Sequence, residues 1–266
     1  MRIENFDSQD LVHIPALQPP SWGDLVPRFR YFIQSDFCFP KKISINGNIA
    51  AVGAIINHGD SAWLACIVVH PDYRNKGLGT FITEYLMDQV DESIYKTIYL
   101  DATKLGFPIY EKLGFITELE YLHLKSENDL NFDMNLENVV DFSSGFQEKL
   151  LNLDRLVSGE DRRRTILEQI GTAKLVVARN DLLGFYIPGL ADGLIIASDP
   201  RAGIKLMKLR LRDKKFAIFP SCNKKALEFL YQHQFVEYRN SKRMRWGRER
   251  AWRPESLYNR ISGQLG

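Results

Sequence analysis

At 266 residues, with 45% hydrophobic and 26% charged side chains, the chain is sized for one large or two compact globular domains, which excludes disorder and fibrous repeats as its main architecture. A formal net charge of +2 is too balanced to imply a nucleic-acid partner on charge alone. Cys38, Cys66 and Cys222 are too few and too scattered for a disulfide framework or a zinc cluster, which suits a reducing cytoplasm. No apolar run approaches membrane-spanning length, and the polar opening MRIENFDSQD has no secretory core.

Residues 11–40 read as irregular. Pro15, Pro19, Pro20, Pro27 and Pro40 punctuate them, with Trp22, Phe29, Tyr31, Phe32 and Phe37 between, as in short helices or an aromatic-rich loop. From Lys42 the texture changes. Residues 43–57 predict two strands around Asn46-Gly47, a strong hairpin signal. The apolar run 62–69 predicts a central strand covered on both faces. The loop HPDYRNKG leads into a helix expected over 77–90, with Leu78, Phe81, Ile82, Tyr85, Leu86 and Val90 at helical spacing. A strand over 96–102, a short helix over 107–113 stopped by Gly114, and a strand over 115–124 complete the first half. The Asn- and Asp-rich stretch 125–145 predicts a linker, with its break near 126–135.

The second half repeats the texture. A helix is expected over 160–170, then strands over 173–179 and 182–188 around Asn180-Asp181. A strand over 193–197, a helix over 200–211, a strand over 215–219, a helix over 223–233 and a strand over 234–245 follow. A shift of 120 residues lays 97–118 on 217–238, with Ile98 on Ile218, Lys104 on Lys224 and Phe115 on Phe235. The matching order of elements points to an internal duplication.

The stretch that carries chemistry is Tyr73-Arg74-Asn75-Lys76-Gly77-Leu78-Gly79-Thr80, set between an apolar strand and an amphipathic helix. A helix N-terminus offers unpaired N–H groups and the positive end of a dipole. Gly77 and Gly79 carry no Cβ, so a phosphate can approach the backbone. Arg74 and Lys76 add positive charge, and no carboxylate lies between Tyr73 and Phe81. A glycine-bearing turn with a solvated basic face is the plainer alternative. The Rossmann fingerprint fits poorly, because its third glycine is missing, and no G-K-S/T is present for a P-loop.

VHPDYRNKGLGTFI resembles the acyl-coenzyme A motif of the GNAT superfamily of N-acetyltransferases, R/Q-x-x-G-x-G/A, with Arg74, Gly77 and Gly79 in its fixed positions. LDATKLGFPIYEKLGF at 100–115 is similar to the family's second half, N-x-x-A-x-x-x-Y-e-k-l-G-F. Tyr110, Gly114 and Phe115 match; Thr103 stands in place of Asn and Gly106 in place of Ala. LDRLVSGEDR at 153–162, with Arg243-Met244 and Gly247, resembles the C-terminal copy of tandem GNAT proteins. That copy departs from the pattern at Ser198-Asp199-Pro200-Arg201-Ala202-Gly203-Ile204, which has one glycine, an acid and no G-x-G. Asn223 keeps the family's Asn, but Leu230 replaces its tyrosine.

The resemblance implies an α/β (α+β) protein of two GNAT-like domains. Each would be a mixed, mostly antiparallel twisted sheet with helices on both faces and a splayed parallel strand pair. Residues 1–128 would be the transferase, 136–247 a degenerate copy and 248–266 a basic tail. The expected activity is acetyl-coenzyme A-dependent N-acetylation, by direct attack of a primary amine in a ternary complex. A non-catalytic acyl-coenzyme A sensor or scaffold is the alternative. The backbone of Ile67, Val68 and Val69, the loop Arg74, Asn75, Lys76, Gly77, Leu78, Gly79 and Thr80, and Thr103 would hold the cofactor. Tyr110 would protonate the leaving thiolate. Asp101 is the candidate base, with His58 and His70 as further options. Trp22, Phe29 and Phe32 are candidates to line the acceptor pocket. The acceptor is a small-molecule amine or a protein lysine, and a monomer or homodimer without nucleic acid or membrane is expected. The basic runs Arg162-Arg163-Arg164 and Arg243, Arg245, Arg248, Arg250, Arg253 read as solvated surface.

Overall fold

Asn46 and Gly47 both adopt left-handed backbone conformations, φ 50° and 80°, and close the two-residue turn between β2 (Cys38–Ile45) and β3 (Asn48–Asn57). The hairpin belongs to a computed structural model that describes residues 2–128, 132–133 and 136–266. The chain divides into two units. The first comprises Met1–Leu100, Lys104–Ile116 and Arg245–Arg248; the second comprises Asp101–Thr103, Thr117–Met244 and Glu249–Gly266.

In the first unit, β1 (Arg2–Asn5), β2, β3 and β4 (Ala62–Val69) are antiparallel neighbours in that order. β5 (Thr97–Ala102) joins β4 in parallel. Two short helices come early, α1 (Ile14–Leu17) and α2 (Val26–Gln34), each with Pro in its first turn. Within the stretch expected to be irregular, α2 packs on β2. The helix expected over 77–90 is α3 (Leu78–Asp88), which packs on β3 and β4. Leu78, Ile82 and Leu86 are buried at four-residue spacing, each contributing about 1.5–3 kcal/mol. Phe81, placed on that stripe by its spacing, is instead exposed. α4 (Phe107–Lys112) ends at Gly114, φ 87°, as its sequence predicts. Residues from far along the chain finish this unit. The Arg248 N–H donates to the Lys96 carbonyl at 2.9 Å, and the Thr97 hydroxyl donates to the Arg248 carbonyl at 2.7 Å. A Cβ on Gly247 would lie 2.5 Å from the Lys96 carbonyl oxygen, which requires glycine there.

The second unit holds β6 (Ile116–Lys125), whose first residue falls in the first unit, and β7 (Val139–Asp141). Then come α5 (Gln147–Ser158), α6 (Arg163–Leu167), β8 (Lys174–Ala178), β9 (Asp181–Ile187) and β10 (Leu194–Ala197). α7 (Pro200–Leu211), β11 (Phe216–Pro220), α8 (Lys224–Gln232), β12 (Val236–Gly247) and β13 (Leu257–Asn259) complete the chain. One sheet runs β13-β10-β9-β8-β7, and β11 pairs with β6 antiparallel. The series β2-β3-β4-α3-β5-α4-β6 recurs in chain order as β8-β9-β10-α7-β11-α8-β12, in line with the 120-residue shift. The fold is mixed α/β, of the class expected. No helix among the described residues is long and apolar enough to cross a membrane.

Several expectations need correction. Of the linker placed over 125–145, residues 129–131, 134 and 135, and with them much of the break near 126–135, lie outside the described residues. Within the same stretch Phe132 is buried against Phe229, and Val139–Asp141 pairs with β8. The helix expected over 160–170 is only α6. The longer helix is α5, stopped by Gly159 in a left-handed conformation. The β8–β9 turn uses Arg179-Asn180, one residue earlier than expected, because that turn type needs two successive left-handed residues. Residues 248–266 are not a tail. Leu257 through Ser262 are buried, and β13 pairs with β10.

The basic runs are not wholly solvated either. Arg162 forms a buried pair with Asp154, its Nη2 donating to Oδ1 at 2.5 Å. Arg243 lies between Glu118 and Glu160 and stacks 4.4 Å from the Trp252 ring. Gly159 of the LDRLVSGEDR motif is required twice over, by its φ of 73° and by the Ala251 carbonyl, 2.8 Å from any Cβ there. Asp154, Glu160 and Arg162 of the motif therefore lie in the interior of the second unit, while Arg155 stays exposed.

Candidate active site

The site begins with a fault in a ladder. Val52 faces Val68 and Ala54 faces Ala65, so Gly53 stands opposite both Cys66 and Ile67. This is a β-bulge in β4, and Cys66 pays for the extra residue with a φ of 49°. A bulge takes backbone N–H groups out of the sheet and re-aims them. Gly53 is required because a Cβ there would lie 2.8 Å from Leu86 of α3. Nothing in the apolar run AWLACIVV signals the bulge; the glycine opposite it was the available clue.

The second feature is a divergence. β4 and β5 pair at Ala62↔Ile98 and Trp63↔Tyr99 only, where the two aromatic rings meet at 5.5 Å. From Leu64 to Val69 that edge of β4 has no β5 partner, and backbone groups there are available to an extended ligand. Ile67 and Val69 are half-buried and Val68 buried. Burial pushes the Cys66 thiol up to about 12, so at neutral pH it is protonated and no nucleophile.

The third feature is the loop after β4. A 3-10 turn, Pro71–Tyr73, is capped by His70, whose Nδ1 accepts from the Asp72 N–H at 3.3 Å. His70 thus has a structural partner, and His58, the first residue after β3, is buried. The Arg74 Nε donates to the Val69 carbonyl, and the Lys76 ammonium donates to the Asp72 carbonyl and lies over the Tyr73 ring. Both cations brace the loop and remain exposed. Asn75 and Gly77 have φ of 59° and 79°. Such alternation turns successive N–H groups toward one side, as in anion-binding nests. α3 has no side-chain cap at Gly77, and its first ladder donor is the Phe81 N–H. The N–H groups of Leu78, Gly79 and Thr80 precede the ladder. A Cβ on Gly77 would meet nothing within 4 Å, so the corner is open.

α4 closes the site on one side. A Cβ on Gly79 would touch Ile109 of α4 at 3.2 Å. Tyr110, the next residue, is half-buried, with its ring against Gly106 and edge-on to Phe115 at 6.0 Å. A Cβ at Gly106 would lie 2.8 Å from a Tyr110 ring carbon, which gives a physical reason for glycine where the family pattern has alanine.

Ile67, Val68, Val69, the 74–80 loop and Tyr110 therefore all lie in the first unit. Two other expected residues do not. Asp101 and Thr103 fall in the second unit, and the Asp101 carboxylate forms a buried ion pair with Arg260. Asp101 Oδ2 is thus engaged by Arg260, which gives the carboxylate a structural partner in the second unit. Phe29 and Phe32 do not line a pocket. They are fully buried with Phe6, centroids 4.8 and 5.6 Å apart along the cluster, as core. Trp22 is half-buried in a 3-10 turn.

The bulged strand, its divergence from β5 and the uncapped helix start that follows lie together in the first unit. Residues 37–117, which contain all of them, match the family model described as an acetyltransferase (GNAT) domain. The chain is 32% identical over 77 residues to the ribosomal protein bS18-alanine N-acetyltransferase of Escherichia coli K12, covering 28% of this chain and 52% of that protein. It thus spans about half the length of the curated relatives it matches first. Over its full length it shares its fold with a Pyrococcus horikoshii protein described as a putative acetyltransferase, at 20% identity and a TM-score of 0.83, with 100% of this chain and 95% of that one covered. A tandem GNAT protein from the clavulanic acid biosynthesis pathway also shares the fold, at 9% identity and a TM-score of 0.59, covering 92% of this chain and 98% of that one.

Proposed function

We propose that the first unit is an acetyl-coenzyme A-dependent N-acetyltransferase acting on a primary amine by direct attack. The observation that carries this reading is the uncapped start of α3 at Gly77, open to solvent and set beside the unpaired edge of β4. The residues present fit the cofactor. Left-handed Asn75 and Gly77 and the Leu78–Thr80 N–H groups suit a diphosphate. The Ile67–Val69 backbone suits the amides of the pantetheine arm.

Bound acetyl-coenzyme A supplies an activated acyl thioester. The chain's part is to orient it and to manage protons. A β4 backbone N–H beside the bulge would polarise the thioester carbonyl, a role in which one donor is worth about 2.7–4 kcal/mol. Tyr110 would give its hydroxyl proton to the sulfur as the C–S bond breaks and the C–N bond forms, and would regain a proton from solvent. The amine's own proton leaves to solvent, since Asp101 is engaged by Arg260. Cys66, kept as a thiol, offers no covalent route.

The acceptor is a small amine or the amine of a protein chain. The Escherichia coli relative acts on an alanine of a ribosomal protein, so peptides beginning with alanine belong in the panel beside lysine peptides and small amines. The test is steady release of free thiol from acetyl-coenzyme A with each amine. Turnover with any of them supports transfer. Tight cofactor binding with no turnover across the panel would convert the reading to an acyl-coenzyme A sensor.

A further inference from the structure

The second unit repeats the elements of the first, yet its counterpart of the cofactor slot is filled. In the first unit the slot lies along β4 where pairing to β5 stops. The corresponding strands of the second unit are β10 and β11, and β13 lies between them. β13 pairs with β10 at Ile195↔Asn259 and Ile196↔Leu257. On its other side the Arg260 N–H donates to the Ile218 carbonyl at 3.0 Å, and the Ile218 N–H donates to the Asn259 Oδ1 at 2.9 Å. The Asn259 amide also donates to the Gly193 carbonyl at 2.8 Å. Leu257, Tyr258, Asn259, Arg260 and Ile261 are all buried.

Two more contacts close the same slot. Under the 120-residue shift Thr103 corresponds to Asn223. The Asn223 side chain is spent within the protein, accepting from the Ala226 N–H at 3.0 Å and donating to the Leu257 carbonyl at 3.0 Å. The cap of α7 is Asp199, at the place where α3 has Gly77. Its carboxylate accepts from the N–H groups of Arg201 and Ala202 at 2.8 and 2.9 Å. A helix start already holding its own anion repels a phosphate. The Tyr258 ring packs on Gly203 of α7 so tightly that a Cβ there would enter the ring.

We propose that β13 is a built-in occupant of the second unit's slot: strand 257–260 takes the hydrogen bonds an acyl carrier would take, and Asp199 takes those of its diphosphate. The chain then binds one acyl-coenzyme A, in the first unit, and the second unit is a scaffold closed by its own chain. The stoichiometry rests on the function proposed for the first unit; the occupancy does not.

Two measurements on the full chain test it. Titration calorimetry with coenzyme A should give one equivalent, lost in Gly77→Asp. Amide exchange should place Arg260 and Ile261 in the slowest class, unchanged by millimolar coenzyme A in either protein. A second equivalent, or one equivalent surviving in Gly77→Asp, overturns the proposal. So does exchange at 257–261 that is fast, or that responds to coenzyme A in Gly77→Asp. If the unaltered chain binds no coenzyme A, the transferase reading of the first unit fails. β13 is then judged by exchange alone, slow exchange supporting it and fast exchange overturning it.

Discussion

Gly77 and Asp199 occupy equivalent helix caps, and the difference between a hydrogen and a carboxylate decides what each corner admits. Gly77→Asp should lower coenzyme A affinity at least 100-fold by calorimetry. Gly77→Asn separates charge from strain, because Asn tolerates a left-handed φ and brings no charge; it should retain most of the affinity. Tyr110→Phe should reduce turnover by about 10²–10⁴-fold while leaving the KM for acetyl-coenzyme A within twofold. Gly106→Ala should mimic it in part, since a Cβ at 2.8 Å must push the Tyr110 ring aside. An unchanged kcat in Tyr110→Phe would reduce the tyrosine to packing. The loop residues and Tyr110 were legible because a short pattern of glycines, one cation and one tyrosine carries them. The ion pair of Asp101 was not legible because its partner, Arg260, lies 159 residues away. Phe29 and Phe32 were misread because spacing alone cannot tell an aromatic that lines a pocket from one that fills a core.

Elements with a strong local signal came out within a residue or two, except that β2 begins at Cys38, five residues before the expected start of the hairpin at 43. The β2–β3 hairpin, β4, α3 and α7 each combine periodicity with a turn or cap that the backbone requires. The bulge in β4 was invisible, because an all-apolar strand gives no alternation against which an extra residue could register. Gly53 faces it, and Gly53→Ala should destabilise the protein by about 1–3 kcal/mol through overpacking against Leu86, read as a lower Tm. β6 carries a pH-dependent element. His123 is fully buried, its Nε2 is 2.9 Å from the Ser241 hydroxyl, and burial with neighbouring Arg260 and Arg239 lowers its pKa to about 2. Unfolded, it titrates near 6.5. Below that pH the unfolded chain binds the proton and the folded chain does not, so stability falls as pH drops. The slope is about 1.4 kcal/mol per pH unit, starting near pH 6.5. Denaturant titrations from pH 7 to 5 should show it, and His123→Asn should flatten it.

For the whole molecule, order of elements was readable and membership was not. The internal repeat and the α/β class follow from patterns that recur along the chain. The boundaries at 128 and 247 failed because contacts made across more than 100 residues leave no trace in local composition. Residues 248–266 look like a basic tail only while Arg260 and Tyr258 are counted as exposed; both are buried. Removing residues 248–266 should therefore do more than shorten the protein. It strips the pairing from β10 and leaves Asn223 without the Leu257 carbonyl. The shortened chain should lose cooperative unfolding of the second unit and aggregate, seen as an early, broad calorimetric transition. A two-state transition with an unchanged midpoint would contradict the buried role given to β13.

The stitch between Thr97 and Arg248 also sets a timetable. During synthesis the first unit's strands are made early, but the edge at Lys96 and Thr97 waits for a segment translated 151 residues later. At typical elongation rates of about 5–20 residues per second, that is roughly 8–30 s in which a nascent chain presents an unfinished sheet edge on the ribosome. A chain cut at residue 128 would live permanently in that interval.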